Sequence, residues 1–239
     1  MAHSIHTAEV MRPNGAGLPG GGIHPSRAGT SLSTVNLPNW PVRTALQTGR
    51  LHTLGSQLEI GDAVFLQVSL LPFRKVAEAT QSWTNHVGVV VDFVAGEPLI
   101  AEGRVPFSGA TSWTRFVQRS ASRRVALARL KTPLSSEQRD ALLQAARRRY
   151  GILYDTGFNL HSRRQFCSRF VREVIDEATG IKLGEVERFA ELLTRNPDAD
   201  LRFWRWWYLG AIPWQRETVT PASLLKDEQL QVWFDGHVL

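Results

Sequence analysis

The chain carries one cysteine, Cys167, among 239 residues. A lone thiol forms no internal disulfide, and it rules out Cys-rich zinc sites, so its presence needs either a packing or a chemical reason. The chemical one comes from its neighbours. Phe170, Val171, Val174, Ile175 and Ala178 recur at three- and four-residue spacing, and Gly180 ends the run, which predicts a helix starting at or just before Cys167. A thiol at a helix N-terminus feels unpaired N–H groups and the positive end of the helix dipole, and both favour the thiolate. The bland alternative is a small buried hydrophobe.

A nucleophilic thiol needs a base within reach. His86 opens a strongly apolar run, with Val at 87, 89, 90 and 91, where an imidazole has no packing reason to be. A satisfied core or edge histidine is the competing account. His161 is the rival base, but it lies in the Arg-rich loop ahead of the Cys167 helix, where little would hold it. Residues 86–94 and 99–105 flank the turn chemistry of Gly96-Glu97-Pro98 and read as an antiparallel hairpin. With its centre near Ala95, facing residue numbers sum to about 188 to 190, and an even sum puts Glu102 on the face of His86, as a direct or diagonal neighbour. A carboxylate there accepts the ring N–H, fixes the tautomer and stabilises the imidazolium. A slip of one residue sends Glu102 to the other face.

Other elements must hold these groups. Residues 63–70, between Gly61-Asp62 and Pro72, read as a buried strand, and residues 125–131 as another. Ser135 and Gln138 form a capping box for a helix over residues 137–150, with Gly151 suited to the left-handed position after it. Further helices are expected over residues 185–195 and 201–209. Helices flanking a short meandering sheet make the class α+β. Residues 1–35, rich in Gly, Pro, Ser, His and Thr, have little to bury against the entropy of ordering and read as a flexible leader. Residues 36–239 read as a single catalytic domain, with an aromatic-rich C-terminal extension from about residue 197.

Composition narrows the partners. Hydrophobic residues make up 43% of the chain, with 8 Trp and 2 Met, a globular rather than disordered balance. No apolar run reaches the roughly 18 to 20 residues that a bilayer span needs. Residues 1–30 show no signal-peptide core behind a basic start, so a cytoplasmic location is expected. The formal charge of +6 is mostly arginine, in short groups such as Arg123-Arg124, Arg147-Arg148-Arg149 and Arg163-Arg164. That pattern reads as a solvated basic face, and no nucleic-acid partner is expected. Residues 201–208 place aromatics between arginines, which suits a bilayer interface or the lid of an acyl groove. The plainer account is a helix whose Leu201, Trp204, Trp207 and Tyr208 pack on the core and leave Trp206 exposed.

Five short segments carry a family resemblance: Gly61-Asp62-Ala63-Val64-Phe65, Asn85-His86-Val87-Gly88-Val89-Val90, Ala101-Glu102, Gly151-Ile152-Leu153-Tyr154-Asp155 and Phe166-Cys167-Ser168-Arg169-Phe170-Val171. They resemble the NlpC-type papain-like amidases in their circularly permuted branch, and within it the bacterial YebB/YiiX group. In the unpermuted relatives the Tyr and Cys-Ser segments come first; here that order is reversed. The resemblance spans residues 58–184 and extends more weakly through Trp214. It implies a permuted papain-like fold with Cys167 as nucleophile, His86 as base and Glu102 as third member. Tyr154 matches a tyrosine that lines such sites, and the Cys167 N–H would serve the oxyanion; Asn85 and Asp62 are further candidates for binding substrate or oxyanion. No metal or organic cofactor is implied. The substrate would be a peptide or lipid with an amide or acyl bond, and peripheral membrane contact is compatible with it. One position departs from the pattern, since YiiX-like members typically read Cys-Ser-Glu-Leu where this chain has Cys-Ser-Arg169-Phe170. Two alternatives share the fold, a lipid acyl hydrolase or acyltransferase and a binding module without turnover.

Overall fold

The computed structural model describes residues 45–121 and 123–238, with side chains from Arg50 onward; the stretch read as a leader lies outside the described residues. In chain order the first elements are α1 (Ala45–Gln57), β1 (Ala63–Leu66), α2 (Leu71–Ala79), β2 (His86–Val94), β3 (Glu97–Glu102), β4 (Gly109–Ser112), α3 (Trp113–Gln118) and β5 (Arg124–Leu130). Then follow α4 (Ser136–Arg148), α5 (Cys167–Thr179), β6 (Val186–Arg188), α6 (Phe189–Arg195), α7 (Leu201–Trp207), β7 (Glu217–Val219), α8 (Pro221–Leu225) and β8 (Leu230–His237). Six strands make one antiparallel sheet in the order β4-β3-β2-β1-β5-β8, and β6 pairs with β7 separately. The helices α4 and α5 pack on each other and on β2, while α1 and α3 lie against β3.

The centre of the sheet explains its sequence. Ala63, Val64, Phe65 and Leu66 in β1, like Val125, Ala126, Leu127 and Ala128 in β5, have no exposed surface. A strand covered on both faces has no reason to alternate polar with apolar, so both read as continuous apolar runs. Helix ends follow local chemistry: α4 opens on the Ser135–Gln138 capping box, and α5 closes at Gly180 in the left-handed conformation, φ 77°.

Three expected elements differ. The strand over residues 99–105 ends at Glu102, where Gly103 comes against the Phe166–Cys167 peptide. The strand over residues 63–70 stops at Leu66, because β2 begins opposite it at His86. Beyond that point a side chain replaces the neighbouring strand: Val68 N–H donates to Asn85 Oδ1 at 2.8 Å, and Asn85 Nδ2 donates to the Val68 carbonyl at 3.0 Å. The helix over residues 185–195 splits into β6 and α6, since residues 186–188 find strand partners in β7, far downstream, which no local pattern announces.

The β2–β3 hairpin sets the relation between His86 and Glu102. Val94 faces Glu97, which leaves a two-residue turn, Ala95-Gly96, with φ of 51° and 79°. Two positive φ angles are type I′ geometry, whose twist matches the flanking strands. At the turn the register is odd, Asp92 facing Leu99, and unbroken it would turn Glu102 away from the His86 face. A β-bulge between Val90 and Asp92 adds one residue to β2, so Val90 faces Ile100 and Val89 faces Ala101. Carried one step further, this even register sets Glu102 beside Gly88, diagonal to His86.

Ala95 adopts the left-handed conformation without glycine's freedom, at a cost of about 1 kcal/mol. Ala95→Gly is therefore expected to raise Tm by roughly 2–4 °C, as followed by circular dichroism on heating. An unchanged or lower Tm would count against the type I′ turn.

Candidate active site

His86 is the first residue of β2 and Glu102 the last of β3. Their side chains meet, with His86 Nε2 and Glu102 Oε2 2.6 Å apart and both residues buried. The other carboxylate oxygen, Oε1, accepts from Arg119 Nη2 at 2.7 Å. Arg119 caps the C-terminal end of α3, with its guanidinium 4.9 Å over the Phe116 ring. Burial pushes the Glu102 carboxyl up, but the hydrogen bond and charge of His86 and the charge of Arg119 outweigh it and hold Glu102 below the usual carboxylate range. An ionised Glu102 accepts the Nε2 proton, so Nδ1 is the nitrogen left to act. Nδ1 is buried and has no hydrogen-bond partner among the described residues. Phe73, edge-on at 6.3 Å, and Phe116, at 5.7 Å, hold the ring in place.

Cys167 is the first residue of α5, preceded by Phe166 in extended conformation, and no side chain caps that helix end. The Tyr154 hydroxyl lies 3.8 Å from Sγ, and the thiol reaches 4.0 Å from the Asn85 carbonyl, one residue before His86. Burial raises the pKa of the thiol, yet His86, then the Tyr154 hydroxyl and the Val87 N–H, bring it below its ordinary value. The imidazolium shows the mirror effect: burial disfavours it, while Cys167 and Glu102 raise its pKa to about 9. Burial, followed by the Cys167 charge, pushes Tyr154 well above the ordinary phenol range, so its hydroxyl stays a donor. Sulfur and imidazole thus favour the thiolate–imidazolium form, as a sulfur nucleophile requires.

Two residues that the motifs did not single out complete the geometry. Gly103 follows Glu102, and a Cβ there would lie 2.9 Å from the Phe166 carbonyl carbon and 3.1 Å from the Cys167 nitrogen. Only glycine lets the end of β3 approach the peptide that carries the Cys167 N–H. Its one sequence signal is its place after Ala101-Glu102. Arg119 had none, because it sits 17 positions from Glu102 on a helix that residue spacing did not announce.

The remaining sequence candidates divide. Tyr154 comes to the sulfur. Asn85 lies beside it through its backbone, but its side-chain amide is spent on Val68. Asp62 is not brought to Cys167: it stands at the far end of β1 from Leu66, which faces His86. There Asp62 accepts from Arg129 Nε at 2.8 Å and from the Glu59 N–H at 2.9 Å, pinning the turn before β1 to β5. His161 is exposed and pairs with Glu217 at 2.7 Å. Arg169, the departure from the family pattern, binds Glu173 at 2.7 Å and the carbonyls of Ser162 and Arg164 at 2.7 and 2.9 Å, so it steadies the loop ahead of Cys167. The aromatic helix braces the same loop, since Trp207 Nε1 donates to the Thr156 carbonyl at 2.9 Å and the Tyr208 hydroxyl to that of Gly157 at 3.2 Å. Trp204 is buried and Trp206 is 68% exposed, as the plainer account of that helix expects.

The close approach at Gly103 is directly testable. In Gly103→Ala the new methyl meets backbone, not a flexible side chain, so the Cys167 peptide must move. Displacements of this kind cost on the order of 100-fold in reactivity. Alkylation of Cys167 by iodoacetamide is expected to slow accordingly, with far-UV circular dichroism unchanged; a native alkylation rate in a folded variant would sink the assignment.

Comparison with known proteins agrees with this architecture. The family model described as permuted papain-like amidase enzyme, YaeF/YiiX, C92 family, matches residues 57–233. The uncharacterized protein YiiX of Escherichia coli (strain K12) is 28% identical over 177 residues, covering 73% of this chain and 85% of that protein. A crystal structure described as the metalloprotein yiiX from Escherichia coli O157:H7 superposes with a TM-score of 0.69 at 26% identity, over 76% of this chain and 99% of that one. The donors here do not fit a resident metal: among the described residues no three His, Cys, Asp or Glu side chains are grouped to hold one, and the His86 and Glu102 side chains bind each other. A sheet whose histidine strand precedes the cysteine helix is the papain arrangement in permuted order, and with the family model spanning most of its length the chain belongs to the permuted papain-like amidases of the YaeF/YiiX, C92 family.

Proposed function

We propose that the chain is a thiol-dependent amide hydrolase in which Cys167 is the nucleophile, His86 the base and then the acid, and Glu102 the group that orients His86. One observation carries this: a buried 2.6 Å bond from Glu102 occupies Nε2 and frees Nδ1 beside a thiol that His86 makes more acidic. Nδ1 takes the thiol proton and the sulfur attacks the amide carbonyl, forming a C–S bond and leaving negative charge on the carbonyl oxygen. The Cys167 N–H and the Tyr154 hydroxyl are the donors at hand for that charge. Collapse breaks the C–N bond while Nδ1 protonates the departing amine. Water then gives a proton to Nδ1 and attacks the thioacyl carbon; the C–S bond breaks, the acid leaves and the thiolate returns. Membership of an amidase family supports an amide as the bond cleaved.

The pH dependence follows from the two shifts. The thiolate persists above the lowered pKa of Cys167, and the imidazolium needed by the leaving amine persists up to about 9. The profile of kcat/KM is thus expected to be bell-shaped, with an alkaline limb near 9 that belongs to the coupled pair. Cys167→Ser and His86→Ala should each lower kcat by about 1,000-fold or more. Because Cys167 is the only thiol, alkylation by iodoacetamide reads the site by mass. A rate at pH 6 no faster than that of N-acetylcysteine, unaffected by His86→Ala, would leave a binding module without turnover as the better account.

A second reading, an acyl hydrolase or acyltransferase at a lipid surface, has one observation in its favour. Trp206 is 68% and Leu209 97% exposed, on the segment that also presents Arg202 and Arg205. Among the described residues no helix is long and apolar enough to cross a membrane. Flotation with anionic vesicles is expected to carry the protein upward under this reading and to lose it in Trp206→Ser/Leu209→Ser; protein left at the bottom removes it.

A further inference from the structure

A cavity of about 500 Å³ opens onto His86, walled by Val68, Phe73, Arg104, Val105 and Arg119 among others. Two of these walls are guanidinium groups, and among the described residues none of its lining residues is acidic. Arg119 is satisfied by Glu102 at 2.7 Å. Arg104 is not: its Nε stands 3.8 Å from the same oxygen, and this buried nitrogen has no hydrogen-bond partner among the described residues. A buried guanidinium N–H left unpaired is costly, and with 38% of the Arg104 side chain exposed the rest of the fork is within reach of a ligand.

The charges point the same way. Cys167, His86, Glu102, Arg119 and Arg104 carry one net positive charge together. That sum is the same whether the proton is on sulfur or imidazole, in the tetrahedral adduct and in the thioacyl state. One anionic group on the substrate brings the cluster to neutrality at every stage. Gly103 packs on the Phe166–Cys167 peptide, so the Arg104 backbone begins one residue from the N–H beside the thiol. Val68, Leu70, Phe73 and Val105 give the wall an apolar part, and Ser69, Gln118 and Ser120 give it neutral polar groups.

Resting on the hydrolase reading above, we infer that this cavity is a subsite for an anionic oxygen group, carboxylate or phosphate, carried by the amide substrate next to the scissile carbonyl, with Arg104 as the residue that seats it. The bidentate fork of arginine matches either anion.

Two alkylating agents isolate the effect without a known substrate. Iodoacetate and iodoacetamide both react as the thiolate forms an S–C bond and expels iodide, and they differ only in the charge beside the reacting carbon. In the native protein the iodoacetate-to-iodoacetamide rate ratio at Cys167 is expected to exceed that of N-acetylcysteine by about tenfold or more and to saturate with iodoacetate. The His86 imidazolium contributes to this ratio, so the decisive reading is the variant. Arg104→Gln should cut the ratio about tenfold or more, and Arg104→Lys should keep part of it. On native protein, N-acetylglycine or ethyl phosphate should slow the iodoacetamide reaction more than N-acetylglycinamide does, and the better of the two tells carboxylate from phosphate. A ratio untouched by Arg104→Gln, or no protection by either anion, overturns the subsite while rapid iodoacetamide labelling leaves the hydrolase reading standing. Slow iodoacetamide labelling at pH 6 sinks both.

Discussion

A carboxylate with no exposed surface survives as an anion only where opposite charge and hydrogen bonds replace the water it has lost. Glu102 has both, with the His86 ring on one oxygen and Arg119 on the other. Removing one partner from such a buried arrangement typically costs about 3–5 kcal/mol. The neighbourhood therefore holds its geometry closely: the Glu102 charge sets the His86 tautomer, the tautomer leaves Nδ1 free, and the imidazole lowers the pKa of the Cys167 thiol.

The fold meets the demands of this contact with small irregularities. The bulge between Val90 and Asp92 corrects the parity of the hairpin, without which Glu102 would point to the wrong face. Asn85 lends its side chain to Val68 as a substitute strand, and that ends β1 where β2 begins with His86. Gly103 removes a side chain where β3 must pass the first peptide of α5. Each is a local departure from regular structure, and each lies within a residue or two of the site or in the hairpin that builds it.

Support for the loop ahead of Cys167 comes from farther away. Arg169, Trp207 at the end of α7 and Tyr208 just after it bind carbonyls on residues 156–164, between Tyr154 and Cys167. Some of the arginines form ion pairs with carboxylates: Arg124 with Asp235, Arg129 with Asp62 and Glu59, and Arg148 and Arg149 with Glu177. The unpartnered Nε of Arg104 stands out against that background.

Local pattern was enough for the helix that starts at Cys167 and stops at Gly180, the capping box of α4, the buried strands and the hairpin that carries His86 and Glu102, because each depends on residues a few positions apart. It could limit His86 and Glu102 to neighbours on one face, but it could not count the bulge that makes them so. It placed Asp62 among the site candidates because the motif travels with the site in sequence; folding sends its carboxylate to Arg129 at the other end of the strand. Arg119, Gly103 and the strand partner of residues 186–188 were beyond reach for a common reason. Their roles are set by what the folded chain brings against them from distant positions, and a sequence encodes spacing along the backbone but not the packing that converts spacing into contact.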